Sequence, residues 1–415
     1  MVDVSRSREI EASTIRAVTT IRRAVNVLVY VSDALRVDHL GCYGTRFLNT
    51  RTIDELAAGG VRYGQAISAA PWTAPSMTSM VTGLYPHHHG YLHWDAALDP
   101  TTETLFRAFA AHEYEVGTFV FDRSYLFKDL PEANVLGTSE TLDGAIEWLR
   151  ANREKPFLLF FHSWATHMPY FVQHAERKDW RAAKEEVIAG IQADSAEALE
   201  ATREAYRQAV ERQSEELVAS MLGELDALGL RENTVVAFLS DHGESWGERF
   251  GDKSEVQGVY HMHGATLYDE IVRVPLVLSA PGRLEPATVG EQVRSVDLMP
   301  TLLELAGLLA RETDGASLLH VDGDRPAVIA GTDKGALSQL AVRVPPWKLI
   351  LHVESGEEEA YDLARDPRER ESRPADAPPE LRQLVFSELE SAERRELSEE
   401  EEATVAKRLA DLGYL

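Results

Sequence analysis

Acidic and imidazole side chains follow three separate apolar segments of the sequence. Asp33 follows the run VNVLVYVS, and Asp241 and His242 follow TVVAFLS. A third run, FLLFF, leads to His162 and then to His167. Residues that follow parallel strands meet at one edge of a sheet, and two carboxylates with an imidazole suit Mn²⁺, Zn²⁺, Mg²⁺ or Ca²⁺. We therefore expect one divalent cation held by Asp33, Asp241 and His242, although each aspartate alone would more often cap a helix or a turn.

A candidate nucleophile lies in the hydroxyl-rich segment PWTAPSMTSMVTG. Pro75 suits the first turn of a helix that runs to about Thr82, so Thr73 should lie just before the helix N-terminus. The free N–H groups and the helix dipole favour anions there, and a hydroxyl at this place can meet a phosphate or a sulfate. The alternative is that Thr73 only caps the helix. The other hydroxyls in the segment are Ser76, Thr78 and Ser79.

Short apolar runs alternate with amphipathic stretches, which predicts an α/β fold with helices on both sides of a mostly parallel sheet. Continuous apolar runs of this kind suit strands that are buried on both faces. The predicted strands are 25–31, 116–121, 157–161, 234–239 and 274–278. The predicted helices are 52–58, 101–111, 141–152, 198–228 and 297–309, the last with Asp297 as its N-cap.

The alternation of apolar runs and amphipathic stretches ends at about Gly307, and a different sequence pattern follows. Segments 341–353 and 360–363 predict a small terminal sheet, with Pro345 and Pro346 in a turn or at an irregular edge. We expect an N-terminal helical extension (1–24), a catalytic α/β domain (25–310), a small α+β subdomain (311–375) and a charged helical tail (376–415). The charged segment 171–207 is expected to be a solvated surface excursion rather than a lid.

Composition narrows the functional class. The 415 residues carry a formal net charge of −26, which argues against nucleic acid as the main partner. No apolar run reaches membrane-spanning length, the N-terminus has no signal-peptide pattern, and the single cysteine, Cys42, excludes an internal disulfide. These features predict a cytoplasmic protein. The basic residues are 34 Arg and 8 Lys, which fits either a high-salt cytoplasm or a G+C-rich genome.

The segment TAPSMTSMVTG that begins at Thr73, followed by LYPHHHG, resembles the nucleophile segment of the sulfatase family within the alkaline phosphatase superfamily. Further segments resemble that family in the expected order from about residue 25 to 371. The resemblance implies an alkaline-phosphatase-like sandwich, with a large mostly parallel sheet between helices, a small C-terminal sheet and a helical tail. The segments are NVLVYVSDALRVDHLGCYG, THMPY, NTVVAFLSDHGE, HGATLYDEIVRVPLVL, VDLMPTLLELAG and YDLARDPRE.

The resemblance also implies roles for individual residues. Asp33, Asp241 and His242 match metal ligands, and Thr73 matches the nucleophile, which also touches the metal. The residues implied near the substrate are His167 and His263, with His261 as a rival of His263, and the implied supporting residues are His89 and Ser76.

The sequence departs from the family pattern at positions that serve sulfate. Thr73 replaces the Cys or Ser that becomes formylglycine, Met77 replaces an Arg, and Ala34 replaces a second Asp. The segment 116–123 lacks the family's Lys and His. This pattern resembles related phosphodiesterases and phosphoglycerol transferases, and it predicts a metal-dependent hydrolase or transferase of small anionic phosphate or sulfate esters with a Thr nucleophile. The alternatives are an arylsulfatase-type hydrolase and a catalytically silent relative that binds an anion.

Overall fold

The computed structural model describes residues 24–93, 95–121, 126–138, 142–170, 196–246, 263–333 and 335–392. Residues 1–23 of the predicted N-terminal extension, His261, most of the 171–207 segment and the end of the tail lie outside these ranges. The described residues form one eight-stranded sheet and one four-stranded sheet with helices around them. The predicted α/β class is therefore confirmed. None of the helices in the described ranges combines the length and the apolar character needed to cross a membrane.

The large sheet has the strand order β4-β3-β5-β1-β6-β7-β2-β8. Every neighbouring pair is parallel except those that involve β7, which runs against both β6 and β2. The central strands β5, β1 and β6 thus end at the same edge of the sheet. The strands are β1 Asn26–Ser32, β2 Val61–Ile67, β3 Glu115–Val120, β4 Val135–Thr138, β5 Phe157–Ser163, β6 Thr234–Ser240, β7 Arg273–Ser279 and β8 Ala287–Arg294.

Alternate side chains of each central strand enter two different hydrophobic cores. In β1, Val27, Val29 and Val31 pack on one face, and Leu28 and Tyr30 pack on the other. Both faces are apolar because helices cover both, which explains why these strands read as continuous apolar runs. The helices are α1 Arg51–Ala58, α2 Thr73–Thr82, α3 Pro86–His89, α4 Leu105–Ala110, α5 Asp143–Asn152, α6 Ala196–Arg212, α7 Ala219–Ala227, α8 Asp269–Val272 and α9 Leu298–Ala306.

The small sheet is antiparallel and lies between the body of the molecule and α10 Pro379–Ser391, the last helix among the described residues. One face of the sheet packs on Leu381 and Val385 of α10, and the opposite face packs on residues near α8. Pro345 and Pro346 lie in the turn between β10 and β11. The strands, in the order β12-β11-β10-β9, are β9 Ala327–Asp333, β10 Ala336–Val344, β11 Trp347–His352 and β12 Glu358–Asp362.

A buried charge cluster connects the small sheet to the body. The Nζ of Lys348, on β11, lies 3.1 Å from an oxygen of Asp269 and 2.8 Å from an oxygen of Glu369. Arg343, on β10, contacts the other oxygen of Asp269 at 2.9 Å. Lys348 is fully buried, and a charge in such a place is stable only when it is paired. This cluster therefore fixes the small sheet against the start of α8.

Several predicted helices differ in detail from the observed ones: the predicted helix 101–111 is observed as Leu105–Ala110, and the predicted helix 297–309 as Leu298–Ala306. The predicted helix 198–228 is interrupted by a π-helical segment, Gln213–Val218, in which Gln213 accepts a hydrogen bond from Ser163 Oγ at 2.8 Å. Asp297 does precede α9 as its N-cap residue, but its carboxylate does not cap that helix. The carboxylate pairs with Arg294 at 2.7 Å and with Arg325 at 3.2 Å instead.

Candidate active site

The ends of the central strands place acidic and imidazole side chains side by side. The last residue of β1 lies opposite the last residues of both β5 and β6. Asp33 and Asp241 therefore occupy equivalent positions, one residue beyond neighbouring strands. His242 follows, and its Nε2 lies 3.4 Å from Asp33 Oδ1 and 3.5 Å from Asp241 Oδ2. The structure thus brings these three residues together.

Thr73 reaches the same place from the other side of β7. The chain leaves β2 and enters α2, and Thr73 Oγ1 lies 3.2 Å from His242 Nε2. The sequence predicts Thr73 just before the helix, whereas the helix begins at Thr73 itself. Trp72 is the N-cap residue, in an extended conformation, and no side chain caps the helix. The Thr73 hydroxyl therefore faces the acidic cluster and does not serve as a helix cap.

The proton position on His242 follows from its backbone contact. His242 Nδ1 lies 2.8 Å from the carbonyl oxygen of Gly243. Because a carbonyl oxygen only accepts hydrogen bonds, Nδ1 carries the proton. In the neutral tautomer that carries this proton, the lone pair of Nε2 faces the Thr73 hydroxyl and the two carboxylates. A backbone carbonyl that orients an imidazole in this way is a common arrangement behind a metal-ligating histidine.

The charges at the centre of the site are unbalanced. Asp33 and Asp241 are buried, and Asp33 Oδ1 and Asp241 Oδ2 have no hydrogen-bond partner among the described residues. Burial raises the pKa of Asp241, and the nearby Asp33 carboxylate raises it further. Burial also acts to raise the pKa of Asp33, but the imidazoles of His167, His162 and His242 outweigh it and lower that pKa. Two orphaned buried oxygens beside an imidazole lone pair fit a divalent cation.

A second imidazole, His162 on β5, lies against the same carboxylates. Its Nε2 is 3.1 Å from Asp33 Oδ2 and 3.9 Å from Asp241 Oδ2. The possible metal-binding group here consists of Asp33, His162 and Asp241, with all three residues buried. The sequence analysis names His162 at the end of a strand but gives it no role, so the structure adds this residue to the candidate site.

Two further histidines form a wall beside the cluster. The His263 ring lies 4.4 Å from the His242 ring and 5.1 Å from the His167 ring, measured between centroids. His167 Nδ1 lies 2.6 Å from the Met168 carbonyl oxygen, and the ring stacks on Trp164. The structure therefore places both predicted substrate-side histidines at the site. The rival residue, His261, lies outside the described residues.

Glu244 holds His263 in this wall. His263 Nδ1 lies 2.9 Å from Glu244 Oε1, and the Tyr170 hydroxyl donates to Glu244 Oε2 at 2.8 Å. Burial acts to lower the pKa of His263, but the Glu244 carboxylate outweighs it and raises that pKa. Sequence reasoning misses Glu244 and Tyr170. The signal that points to Glu244 is its position two residues after His242, at the end of the same strand.

Of the two predicted supporting residues, Ser76 lies in α2 and His89 lies in α3. Ser76 Oγ donates to the Asp241 carbonyl oxygen at 2.7 Å and so connects α2 to the loop after β6. His89 Nε2 lies 3.0 Å from Ser79 Oγ, away from the acidic cluster. Burial lowers the pKa of His89 to about 3, so this ring is neutral. Both residues fix the helix that presents Thr73.

Comparison with known proteins identifies the family of the chain. The sulfatase family model matches residues 25–308, which is more than half of the chain. The chain belongs to the sulfatase family. Within the family, it is 27% identical over 304 residues to the low-salt glycan biosynthesis sulfotransferase Agl7 of Haloferax volcanii. That match covers 71% of this chain and 64% of the relative, so the chain spans less than two thirds of that protein.

Solved structures confirm the sulfatase fold. The structure of BT4656 in complex with its substrate D-glucosamine-2-N,6-O-disulfate has a TM-score of 0.70 at 17% identity, covering 89% of this chain and 98% of that chain. The phosphonate monoester hydrolase of Agrobacterium radiobacter has a TM-score of 0.65 at 20% identity, covering 88% and 94%. At these identities the likeness concerns the fold. The predicted alkaline-phosphatase-like architecture is thereby confirmed.

Proposed function

We propose that this sulfatase-family protein transfers the sulfuryl or phosphoryl group of a small anionic ester, first to Thr73 and then to water or to an acceptor hydroxyl. The observation that supports this most directly is the 3.2 Å distance between Thr73 Oγ1 and His242 Nε2, inside a cluster of buried carboxylates. Asp33, Asp241 and His242 would hold one divalent cation. When bound, such a cation neutralises ester oxygens and lowers the pKa of a neighbouring hydroxyl.

The first half of the reaction forms a Thr73 ester. Thr73 reacts as the alkoxide, after its proton has left to bulk water. Its oxygen forms a bond to sulfur or phosphorus while the bond from that atom to the leaving oxygen breaks. The N–H groups of Thr73 and Ala74 at the start of α2 have no acceptor within the helix, and they stabilise the negative oxygens of the transferring group.

His263 and His167, the two imidazoles of the wall, act on the leaving group and on the bound ester. Glu244 keeps His263 protonated and fixes its ring, so that Nε2 can donate a proton to the leaving oxygen. His167 is held by the Met168 carbonyl, which directs its other nitrogen away from the backbone. We assign His167 to binding and orienting the ester. In the second half, His263 takes the proton of the incoming water or alcohol, whose oxygen displaces Thr73.

The test is the activity of Thr73→Ala and Thr73→Ser on paired aryl sulfates, phosphate monoesters and phosphate diesters, after loading with Mn²⁺, Zn²⁺, Mg²⁺ or Ca²⁺. We expect Thr73→Ala to lose turnover by more than about 10³-fold, because the nucleophile is absent, and Thr73→Ser to retain measurable turnover. The preferred ester of the wild-type protein defines the substrate class. Unchanged rates in Thr73→Ala, or a wild-type protein that binds no divalent cation, would overturn the proposal.

Transfer to an acceptor is a specific alternative to hydrolysis, and the similarity to a protein named a sulfotransferase favours examining it. Transfer and hydrolysis differ only in the second half of the reaction, in which the Thr73 ester reacts with an acceptor hydroxyl or with water. The assay adds glycerol, methanol or a monosaccharide to the best aryl ester and measures the ratio of the transferred group to free sulfate or phosphate. A ratio that follows the acceptor concentration identifies a transferase, and release of free anion alone identifies a hydrolase.

A further inference from the structure

His162 occupies a position that the proposed chemistry does not use. It lies on β5, opposite Val31 of β1, and its side chain is 1% exposed. Neither of its ring nitrogens has a hydrogen-bond partner among the described residues. Imidazole is rarely left in this condition in a protein interior, because an unpaired buried polar atom costs free energy. The position therefore calls for a ligand.

The contacts of His162 point to the same centre as those of His242. Asp33 lies between the two rings, with Oδ2 3.1 Å from His162 Nε2 and Oδ1 3.4 Å from His242 Nε2. Asp241 Oδ2 lies 3.5 Å from His242 Nε2 and 3.9 Å from His162 Nε2. The His162–Asp33 pair has the distance of a hydrogen bond but not its alignment, since His162 Nε2 remains without a partner. The two atoms thus point past each other.

These distances match the spacing of atoms around one cation. Ligand bonds to zinc of about 2.0–2.2 Å place neighbouring ligand atoms about 3–3.5 Å apart. The Thr73–His242 distance of 3.2 Å falls in the same range, and only the contact between His162 and Asp241 is longer. Ala34, next to Asp33, supplies no side-chain donor of its own. An additional donor from β5 therefore completes one side of the group.

We infer that His162 is a ligand of the active-site cation, which makes this a site with two imidazoles and two carboxylates. The inference rests on the proposed function, because it concerns the same cation. Imidazole nitrogen is a ligand for Zn²⁺ and neighbouring transition metals, whereas Ca²⁺ and Mg²⁺ take oxygen. A second imidazole therefore shifts the preference of the site toward Zn²⁺ and away from Ca²⁺ and Mg²⁺. The alternative is that His162 is an imidazolium ion that only pairs with Asp33.

The experiment counts imidazole ligands on the full-length protein loaded with one equivalent of Zn²⁺, by zinc K-edge X-ray absorption, and measures Zn²⁺ and Ca²⁺ affinity by calorimetry. We expect two imidazoles in the wild-type protein and one in His162→Ala. Zinc affinity should fall by more than the 10–100-fold that losing an outer partner of a ligand costs. Calcium affinity should change by less than about tenfold, because Ca²⁺ prefers oxygen ligands and a nitrogen ligand contributes little to its binding.

Two further variants make the result specific. His162→Gln keeps a polar side chain of similar length, and circular dichroism checks that both His162 variants are folded. His352→Ala removes a partly exposed histidine on β11, outside the site, and should still show two imidazoles. A wild-type spectrum with one imidazole that disappears in His242→Ala but persists in His162→Ala would overturn the inference and leave the proposed function standing. A wild-type protein that binds no cation would remove the proposed metal chemistry itself.

Discussion

Glu244 is the residue on which the proposed acid role of His263 depends. It is fully buried and accepts hydrogen bonds from both His263 and Tyr170. We expect Glu244→Gln to lower kcat/KM by about 10²-fold for esters with poor leaving groups, because loss of the carboxylate lowers the pKa of His263. Esters of acidic phenols need little protonation and should be affected much less. The measurement is the dependence of kcat/KM on leaving-group pKa.

The control for that prediction is Tyr170→Phe, which removes one hydrogen bond from Glu244 but leaves its charge. It should reduce all rates by a similar small factor. If Glu244→Gln lowers the rates of good and poor leaving groups equally, His263 does not act as the acid.

A second residue-scale prediction concerns His88 and Asp314, which lie 2.7 Å apart. The hydrogen bond that His88 Nδ1 donates to the Asp314 carboxylate, opposed by partial burial, raises the pKa of His88 above its usual value. This stabilisation is fully present below the unfolded pKa of His88 and is lost as pH rises through the higher folded pKa. His88→Gln should therefore unfold at lower urea concentration than wild type at pH 6 and nearly equally at pH 9. His320→Gln, at an exposed histidine that pairs with Glu304, is the control and should show no comparable change.

Sequence alone places Asp33, Asp241 and His242 together because each follows a strand of the same sheet. It names His162 at the end of the run FLLFF but gives it no role, because the direction of that side chain within β5 depends on the register with β1. Sequence reasoning misses Glu244 for another reason. Its partner His263 is distant in sequence, and only the fold brings the two residues into contact. Residues defined by strand ends are thus predictable, and residues defined by register or long-range pairing are not.

At the scale of elements, the loop after β6 depends on a single glycine. A Cβ built on Gly243 would lie 2.1 Å from the Glu270 carbonyl oxygen, and the Gly243 N–H donates to Ile271 at 2.6 Å. Gly243→Ala must therefore push this loop away from α8, and Asp241 and His242 move with it. We expect loss of cation binding by calorimetry and a fall in unfolding free energy of about 1–3 kcal/mol.

Gly223→Ala is the matched control for that substitution. Gly223 is an exposed residue of α7, and its added Cβ would meet nothing within 4 Å. Alanine has a higher helix propensity than glycine, so this variant should gain up to about 1 kcal/mol of stability and bind the cation normally. Normal cation binding by Gly243→Ala would contradict the tight packing of the loop.

The joint between the small sheet and the body gives another element-scale prediction. Lys348→Met removes the buried ammonium group that pairs with both Asp269 and Glu369, while Arg343 still pairs with Asp269. Breaking a buried ion pair costs about 3–5 kcal/mol, which urea unfolding can measure. Lys155→Met breaks an exposed pair with Glu115 and should cost less than about 1 kcal/mol. Equal effects of the two substitutions would show that the buried cluster does not fix the small sheet.

The strands that sequence patterns predict are those at the centre of the sheet. β1, β3, β5, β6 and β7 are apolar because both of their faces are covered. β4 and β8 lie at the two edges of the large sheet. Glycine and polar residues occur in both strands, so their sequences contain no continuous apolar run. β2, with the sequence VRYGQAI, also interrupts its apolar pattern with polar residues and a glycine. Burial on both faces, rather than strand propensity, is therefore what the sequence reveals.

For the whole molecule, the net charge of −26 predicts a dependence of stability on salt. Self-repulsion of this magnitude destabilises the compact state, and ions screen it over about 10 Å at 0.1 M and 3 Å at 1 M. We expect Tm to rise from 10 mM to 0.5 M NaCl. A protein adapted to a high-salt cytoplasm should continue to gain above 1 M, whereas codon usage alone predicts a plateau. Full stability at low ionic strength would contradict the high-salt interpretation of the 34 Arg and 8 Lys.

The antiparallel strand β7 divides the two sides of the active site between different connections. Asp33, Asp241 and His242 leave the carboxyl ends of parallel strands, but His263 precedes α8 and the amino end of β7. In the proposed reaction, the residues that bind the cation and a residue that contacts the leaving group thus lie on separate stretches of chain. A substitution in the stretch before β7 can therefore alter contacts with the leaving group without moving the strand ends that carry Asp33 and Asp241.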